Sequence, residues 1–158
     1  MYNTLRIPVN NEQPEFDEQI KNLAKLLPDS IDIESIKGNL RNTGLSEEDI
    51  KQIKDKKIKG LEIFAQRNNL NNELIRGLDL IQNIRSSCIV HRRGGNCIKL
   101  LKDYNLNDKS NIEIFKKLIN DLVESLNKFV SKYKILNLKN ETLWSKTEKE
   151  RELYLEFL

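Results

Sequence analysis

Histidine is nearly missing from this chain: His91 is the only one in 158 residues. Cysteine is almost as rare, with Cys88 and Cys97 alone. A zinc site would therefore have to be built from Cys88, His91 and Cys97, which is one side chain short of a structural site. So few cysteines, with Gly94-Gly95 between them, argue against a disulfide framework and for reduced thiols. Proline and glycine are scarce, three and six residues, unlike disordered or all-β chains. No apolar run approaches the roughly 20 residues needed to cross a bilayer, and Met1 to Glu12 lacks the basic-then-apolar order of a signal peptide. No G-x-x-x-x-G-K-[ST] phosphate loop is present. These absences lead to the expectation of a cytoplasmic protein with no membrane association, metal or cofactor.

What the chain does contain is helical periodicity. Hydrophobic residues make up 38% and charged residues 32%, and the length suits a single all-α domain over 1–158. Residues 1–14 read as an extended arm. Glu15 to Leu27 places Phe16, Ile20, Leu23 and Leu27 on one face, and Asp32 to Asn42 repeats the pattern with Ile33, Ile36 and Leu40. Ser46 opens a stretch carrying Ile50, Ile53, Ile58, Leu61 and Phe64, predicted as one helix to about Asn68, in which Gly60 signals a close helix contact or a bend. A further helix from about Asn72 puts Leu74, Leu78, Ile81, Arg85 and Cys88 on one stripe and is ended by Gly94-Gly95. Ser110-Asn111-Ile112-Glu113 is a capping box ahead of the most regular helix, with Phe115, Leu118, Leu122, Leu126, Phe129 and Tyr133. Residues 136–158 are read as a C-terminal docking segment ending in Leu153, Tyr154 and Phe157. The expected architecture is an antiparallel bundle of about five or six helices.

The chemistry-bearing residues fall between Ile84 and Asn96. Net charge is only +3, yet Arg85 to Lys102 holds five basic residues and no acidic one. The basic run Lys51 to Lys59 is read as a solvated helix face. Cleaving RNA requires a group that moves protons at the ribose 2′-oxygen and the leaving 5′-oxygen, and cations that offset charge on the phosphate. His91 titrates near neutral pH, and Arg85 stays charged and can fork onto two phosphate oxygens. Ser86 can donate to phosphate or position Arg85. Arg92 and Arg93, with Asn96 and Lys99, are candidate contacts to the RNA backbone. On a regular helix, residues six apart differ by about 120°. Arg85 and His91 therefore converge only if the helix ends or distorts near Val90, or if they flank a concave groove. As a structural residue, Arg85 would instead pair with a carboxylate such as Glu113, Asp121 or Glu124.

The run Arg85-Ser86-Ser87-Cys88-Ile89-Val90-His91, continued by Arg92-Arg93-Gly94-Gly95-Asn96, resembles the HEPN superfamily, in which an Arg precedes a His by four to six residues late in a long helix. The resemblance implies a helical homodimer with two motifs facing across a cleft. It also implies a metal-independent endoribonuclease of toxin–antitoxin or antiviral type, with RNA as substrate and an antitoxin or defence protein as partner. Arg85 and His91 then form the catalytic pair and Ser86 takes the polar position after the Arg, more usually Asn, Asp or His. The alternative is a catalytically inactive HEPN-like module that dimerises and binds nucleotide, RNA or a partner protein.

Overall fold

The computed structural model describes residues 5–90 and 94–144, with side chains described over 5–89 and 94–135. Within these bounds the chain is helical, with no strand. No helix among the described residues is long and apolar enough to cross a membrane.

The arm is extended from Leu5 and is tied down rather than free. The Arg6 amide donates to Gln19 Oε1 at 2.9 Å, the Arg6 guanidinium pairs with Glu15, and Asn111 donates to the Asn11 carbonyl at 2.8 Å. α1 spans Gln13–Leu26, with Pro14 in its first turn where the missing N–H is not needed. A short 3-10 turn, Pro28–Ser30, follows. α2 spans Ile33–Asn42, capped by the Asp32 carboxylate, which accepts from the amides of Glu34 and Ser35.

The long helix predicted from Ser46 is broken in two: α3 is Glu47–Ile53 and α4 is Lys57–Arg67. Between them Lys54 sits at φ 49°. That conformation ends α3, and the chain turns there, with the Lys56 amide donating to the Ile53 carbonyl at 3.0 Å before α4 begins. Gly60 marks a close contact rather than a bend: a Cβ built there would lie 2.4 Å from Ile33 Cδ1 and 3.3 Å from Ile53 Cγ2. α2 and α4 approach each other across that missing side chain.

α5, Glu73–Ile84, packs chiefly on α7 and also on α1. It does not run on as an α-helix to the glycines. Arg85–Val90 form a π-helical segment, and Gly94-Gly95, expected to stop this helix, instead cap and open α6, Gly95–Asp103. The Ser110 capping box forms in both directions: the Ser110 amide donates to Glu113 Oε2 at 2.8 Å, and the Glu113 amide to Ser110 Oγ at 3.3 Å. It opens α7, Asn111–Trp144. The backbone stays helical through position 136, where a separate docking segment was expected to begin. The C-terminal apolar residues Leu153, Tyr154 and Phe157 lie outside the described residues.

One connected apolar core holds these elements. Ile20, Ala24, Leu40, Ala65, Ile81 and Ile84 are sealed at its centre, with Phe16 and Phe115 beside them.

Candidate active site

The site is built where α5 changes its winding. Leu74, Leu78, Ile81 and Cys88, four members of the α5 stripe, are buried as their spacing requires. Arg85, the fifth, is not. Its side chain is 36% exposed: Arg85 keeps right-handed helical backbone angles, and its long side chain runs from the stripe out to the Asp29 carboxylate at the edge of the core. Single turns of π-helix inside α-helices occur frequently at functional sites. The helix is distorted before Val90, the condition one of the two routes requires, and His91 lies outside the described residues.

Arg85 Nη1 donates to Asp29 Oδ2 at 2.7 Å. The carboxylate partner thus comes from the 3-10 turn after α1, in place of the expected candidates Glu113, Asp121 and Glu124 on α7. Lys117 pairs with Asp121 and Lys128 with Glu124. Asp29 is a small hub: its Oδ1 accepts from Gln82 Nε2 at 3.1 Å, and its carbonyl accepts from Lys57 Nζ. Gln82 and Arg85 are three apart on one helix edge, so they reach the same carboxylate side by side. Asp29, Gln82 and Lys57 are neighbours of Arg85 that sequence reasoning did not place beside it. The available signal was Pro28-Asp29, a turn dipeptide at the end of an amphipathic helix. These residues line an open groove of about 550 Å³ together with Ile58, Lys59 and Asp79. Desolvation, then the nearby Glu62, raises the Asp79 carboxyl above its ordinary value.

Ser86 is exposed, and its hydroxyl turns back to the Asn83 carbonyl at 3.2 Å rather than toward Arg85. Asn96 and Lys99 are exposed on α6. His91, Arg92 and Arg93 lie outside the described residues. The rest of the basic run at α3 and α4 is a solvated face, as expected: Lys51, Lys54, Lys56 and Lys59 are exposed, and Lys59 pairs with Glu62 at 2.7 Å.

The cysteines correct the expectation of reduced thiols. Cys88 and Cys97 form a disulfide, with Cα atoms 4.8 Å apart and both residues buried. The bond ties the π-helical segment to the first turn of α6, which packs against it. With the two sulfurs bonded to each other, Cys88 is unavailable as a nucleophile, and the trio Cys88, His91 and Cys97 has no thiolate to offer a metal. The cytoplasmic expectation loses the support that reduced thiols gave it.

No family model, curated protein or solved structure matches the chain.

Proposed function

We propose that this chain is a HEPN-like antiparallel helical bundle acting as a metal-independent endoribonuclease of toxin–antitoxin or antiviral type, working as a homodimer whose two motifs border one cleft. The observation that carries this reading is Arg85. It leaves the buried stripe of α5 at the onset of a π-helical segment and stands partly exposed beside a groove, six residues before the only histidine in the chain.

In this reading Arg85 forks onto the scissile phosphate and offsets the charge that grows on it. His91 moves the proton at the 2′-oxygen or the leaving 5′-oxygen. Arg92 and Arg93 grip neighbouring phosphates, with Asn96 and Lys99 on the same side of the chain sequence. Asp29, on the wall of the groove, holds the Arg85 guanidinium between substrates. Attack by the 2′-oxygen leaves a 2′,3′-cyclic phosphate, and DNA, lacking that oxygen, is not cut.

The test is incubation of the full chain with end-labelled single-stranded RNA in EDTA, followed by analysis of the new 3′ ends. The expected result is cleavage with cyclic phosphate ends, abolished by Arg85→Ala and by His91→Ala. RNA that survives the wild type, or that His91→Ala cuts equally well, refutes the reading.

A second reading is favoured by one observation, the Arg85–Asp29 pair itself, which already satisfies the guanidinium. It is the catalytically inactive HEPN-like module that binds nucleotide, RNA or a partner protein. RNA bound by the wild type but not by Arg85→Ala, with no cleavage in either case, would select it.

A further inference from the structure

α5 and α7 pack against each other around a crevice, with Gly77 facing Leu122 and Glu73 facing Lys128. It holds about 340 Å³, in the range of sites that take small organic molecules. Its floor is apolar. Leu80, Leu118 and Leu122 are buried along it, and Gly77 lets the helices close on one another, since a Cβ built there would lie 3.0 Å from Leu122 Cδ2. Tyr104, just past α6, adds an exposed aromatic ring to the lining. The rim is charged and unevenly paired. Lys117 takes Asp121 at 2.8 Å, while Lys128 alone serves both Glu124 at 2.8 Å and Glu73 at 3.3 Å. Arg76, also on the rim, has no carboxylate. Glu73, three residues before it, is the partner that helical spacing offers, but Lys128 already holds that group from α7. Asp79, three residues after it, lines the groove beside Arg85 instead. Among the described residues Arg76 makes no ion pair.

The crevice thus lacks a negative charge at Arg76 and a positive charge at the two carboxylates that share Lys128, above a floor complementary to hydrocarbon. We propose that it binds a free α-amino acid with an apolar side chain, as the zwitterion. The ligand carboxylate forks onto the Arg76 guanidinium. Its ammonium donates to Glu73, and its side chain covers Leu80 and Leu118 beside Tyr104, where apolar burial supplies affinity. The two charges of a zwitterion hang on one carbon, so their partners must be neighbours. Arg76 and Glu73, three positions apart on one edge of α5, have Cβ atoms about 5–6 Å apart. A plain organic anion would satisfy Arg76 and meet the surplus carboxylate; a plain amine would satisfy that carboxylate and meet the unpaired guanidinium. Nothing in this site depends on RNA cleavage at Arg85, so either can fail without the other.

The test is titration of the isotope-labelled full chain with L-phenylalanine, followed by nuclear magnetic resonance through the amide of Gly77, whose signal is readily assigned in a chain with six glycines. Saturation is expected with a Kd of about 1 mM or tighter, the affinity that a ligand of this size reaches. N-acetyl-L-phenylalanine, without the ammonium, and L-phenylalanine methyl ester, without the carboxylate, should each bind about fivefold more weakly. Glycine, with no side chain to bury, should not saturate. Arg76→Gln should weaken phenylalanine by the same factor and leave the methyl ester unchanged, whereas Glu73→Gln should weaken phenylalanine and not the N-acetyl compound. Tyr104→Ala should weaken every ligand, and Lys51→Glu, on α3, none. Arg76, Glu73 and Tyr104 are exposed, so far-UV circular dichroism should not change. Absence of saturation by about 20 mM overturns the proposal, as do shifts centred away from Gly77. So does N-acetyl-L-phenylalanine binding as tightly as phenylalanine, or Arg76→Gln weakening the methyl ester as much as the free amino acid, which would leave Arg76 a merely structural part.

Discussion

Gly38 and Gly60 sit in the two helices that approach each other most closely around Ile33, and alanine at the two positions should have opposite effects. In the middle of a helix, Gly→Ala is worth about 1 kcal/mol of added stability, because the unfolded chain loses freedom that glycine would retain. At Gly38 nothing lies within 4 Å of a built Cβ, so the whole of that gain should be realised. At Gly60 the same methyl would lie 2.4 Å from Ile33 Cδ1 and 3.3 Å from Ile53 Cγ2, both on buried β-branched side chains. The Ile33 tip must swing away or α2 must back off α4. Overpacking of this kind costs about 1–3 kcal/mol, which exceeds the helical gain and leaves Gly60→Ala destabilised by about 1 kcal/mol. For a domain of this size each kcal/mol moves Tm by about 2–4 °C. Thermal melts should therefore show Gly38→Ala above the wild type and Gly60→Ala below it by similar amounts. Should Gly60→Ala melt as high as Gly38→Ala, α2 does not pack on α4 at this point and the break between α3 and α4 has been placed wrongly.

Four further outcomes follow from the structure. Reduction, or the Cys88→Ala/Cys97→Ala double variant, opens the ring between Cys88 and Cys97; for a ring of about 10 residues the chain-entropy relation gives a loss of about 2.7 kcal/mol, readable as a lower urea midpoint, and an unchanged midpoint would show that the bond is absent in solution. Ser110→Ala removes one half of the α7 capping box and should cost about 1 kcal/mol by urea denaturation. The carboxylates of Asp32 and Glu113 are held below their ordinary values of 3.8 and 4.5, first by the hydroxyls of Ser35 and Ser110. Their contribution is complete above those values and is lost as pH falls through the lowered folded-state values, so stability should decline on acidification, less steeply in Ser110→Ala; an identical slope would refute the cap. Asp29→Asn removes the charge facing Arg85 and should tighten RNA binding severalfold in a filter assay at low salt, the gain fading as salt rises; unchanged affinity would mean that RNA does not approach Arg85.

Much of this fold was legible in the sequence because its signals are local. Asp32 and Ser110 announce helix starts through side chains that reach amides two or three residues on, and Phe16, Ile20 and Leu23 repeat at a helical period whatever lies opposite. The break at Lys54 was not legible, because Ile50, Ile53, Leu61 and Phe64 would share one face of an unbroken helix and the apolar pattern carries no sign of a turn between them. Asp29 was not legible as the partner of Arg85, because a contact 56 positions apart in sequence depends on how α1 and α5 come together. The disulfide failed for a related reason: a separation of nine positions with two glycines between the cysteines read as a separator, whereas the π-helical segment and α6 pack together and bring both into the core. The motif that named a family and the geometry around it are thus different kinds of information. The first is carried by residue types alone, the second by how the helices around them pack.

Whether the Asp29 pair blocks the Arg85 site or serves it can be decided by magnitude. The two side chains are 36% and 42% exposed, and an ion pair at that exposure is worth about 0.2–1 kcal/mol. A phosphate on the same exposed guanidinium is screened alike, but it takes two N–H groups at once where Asp29 takes one. The exchange therefore favours the phosphate, and Asp29, which keeps its bond from Gln82, is not left without a donor when Arg85 departs. A fully buried pair would reverse this balance, since leaving a carboxylate uncompensated in the core costs about 3–5 kcal/mol. With the two side chains 36% and 42% exposed, the pair sits on the cheap side of that divide: if RNA is the substrate, as proposed, Asp29 would hold the guanidinium in place and release it to an incoming phosphodiester.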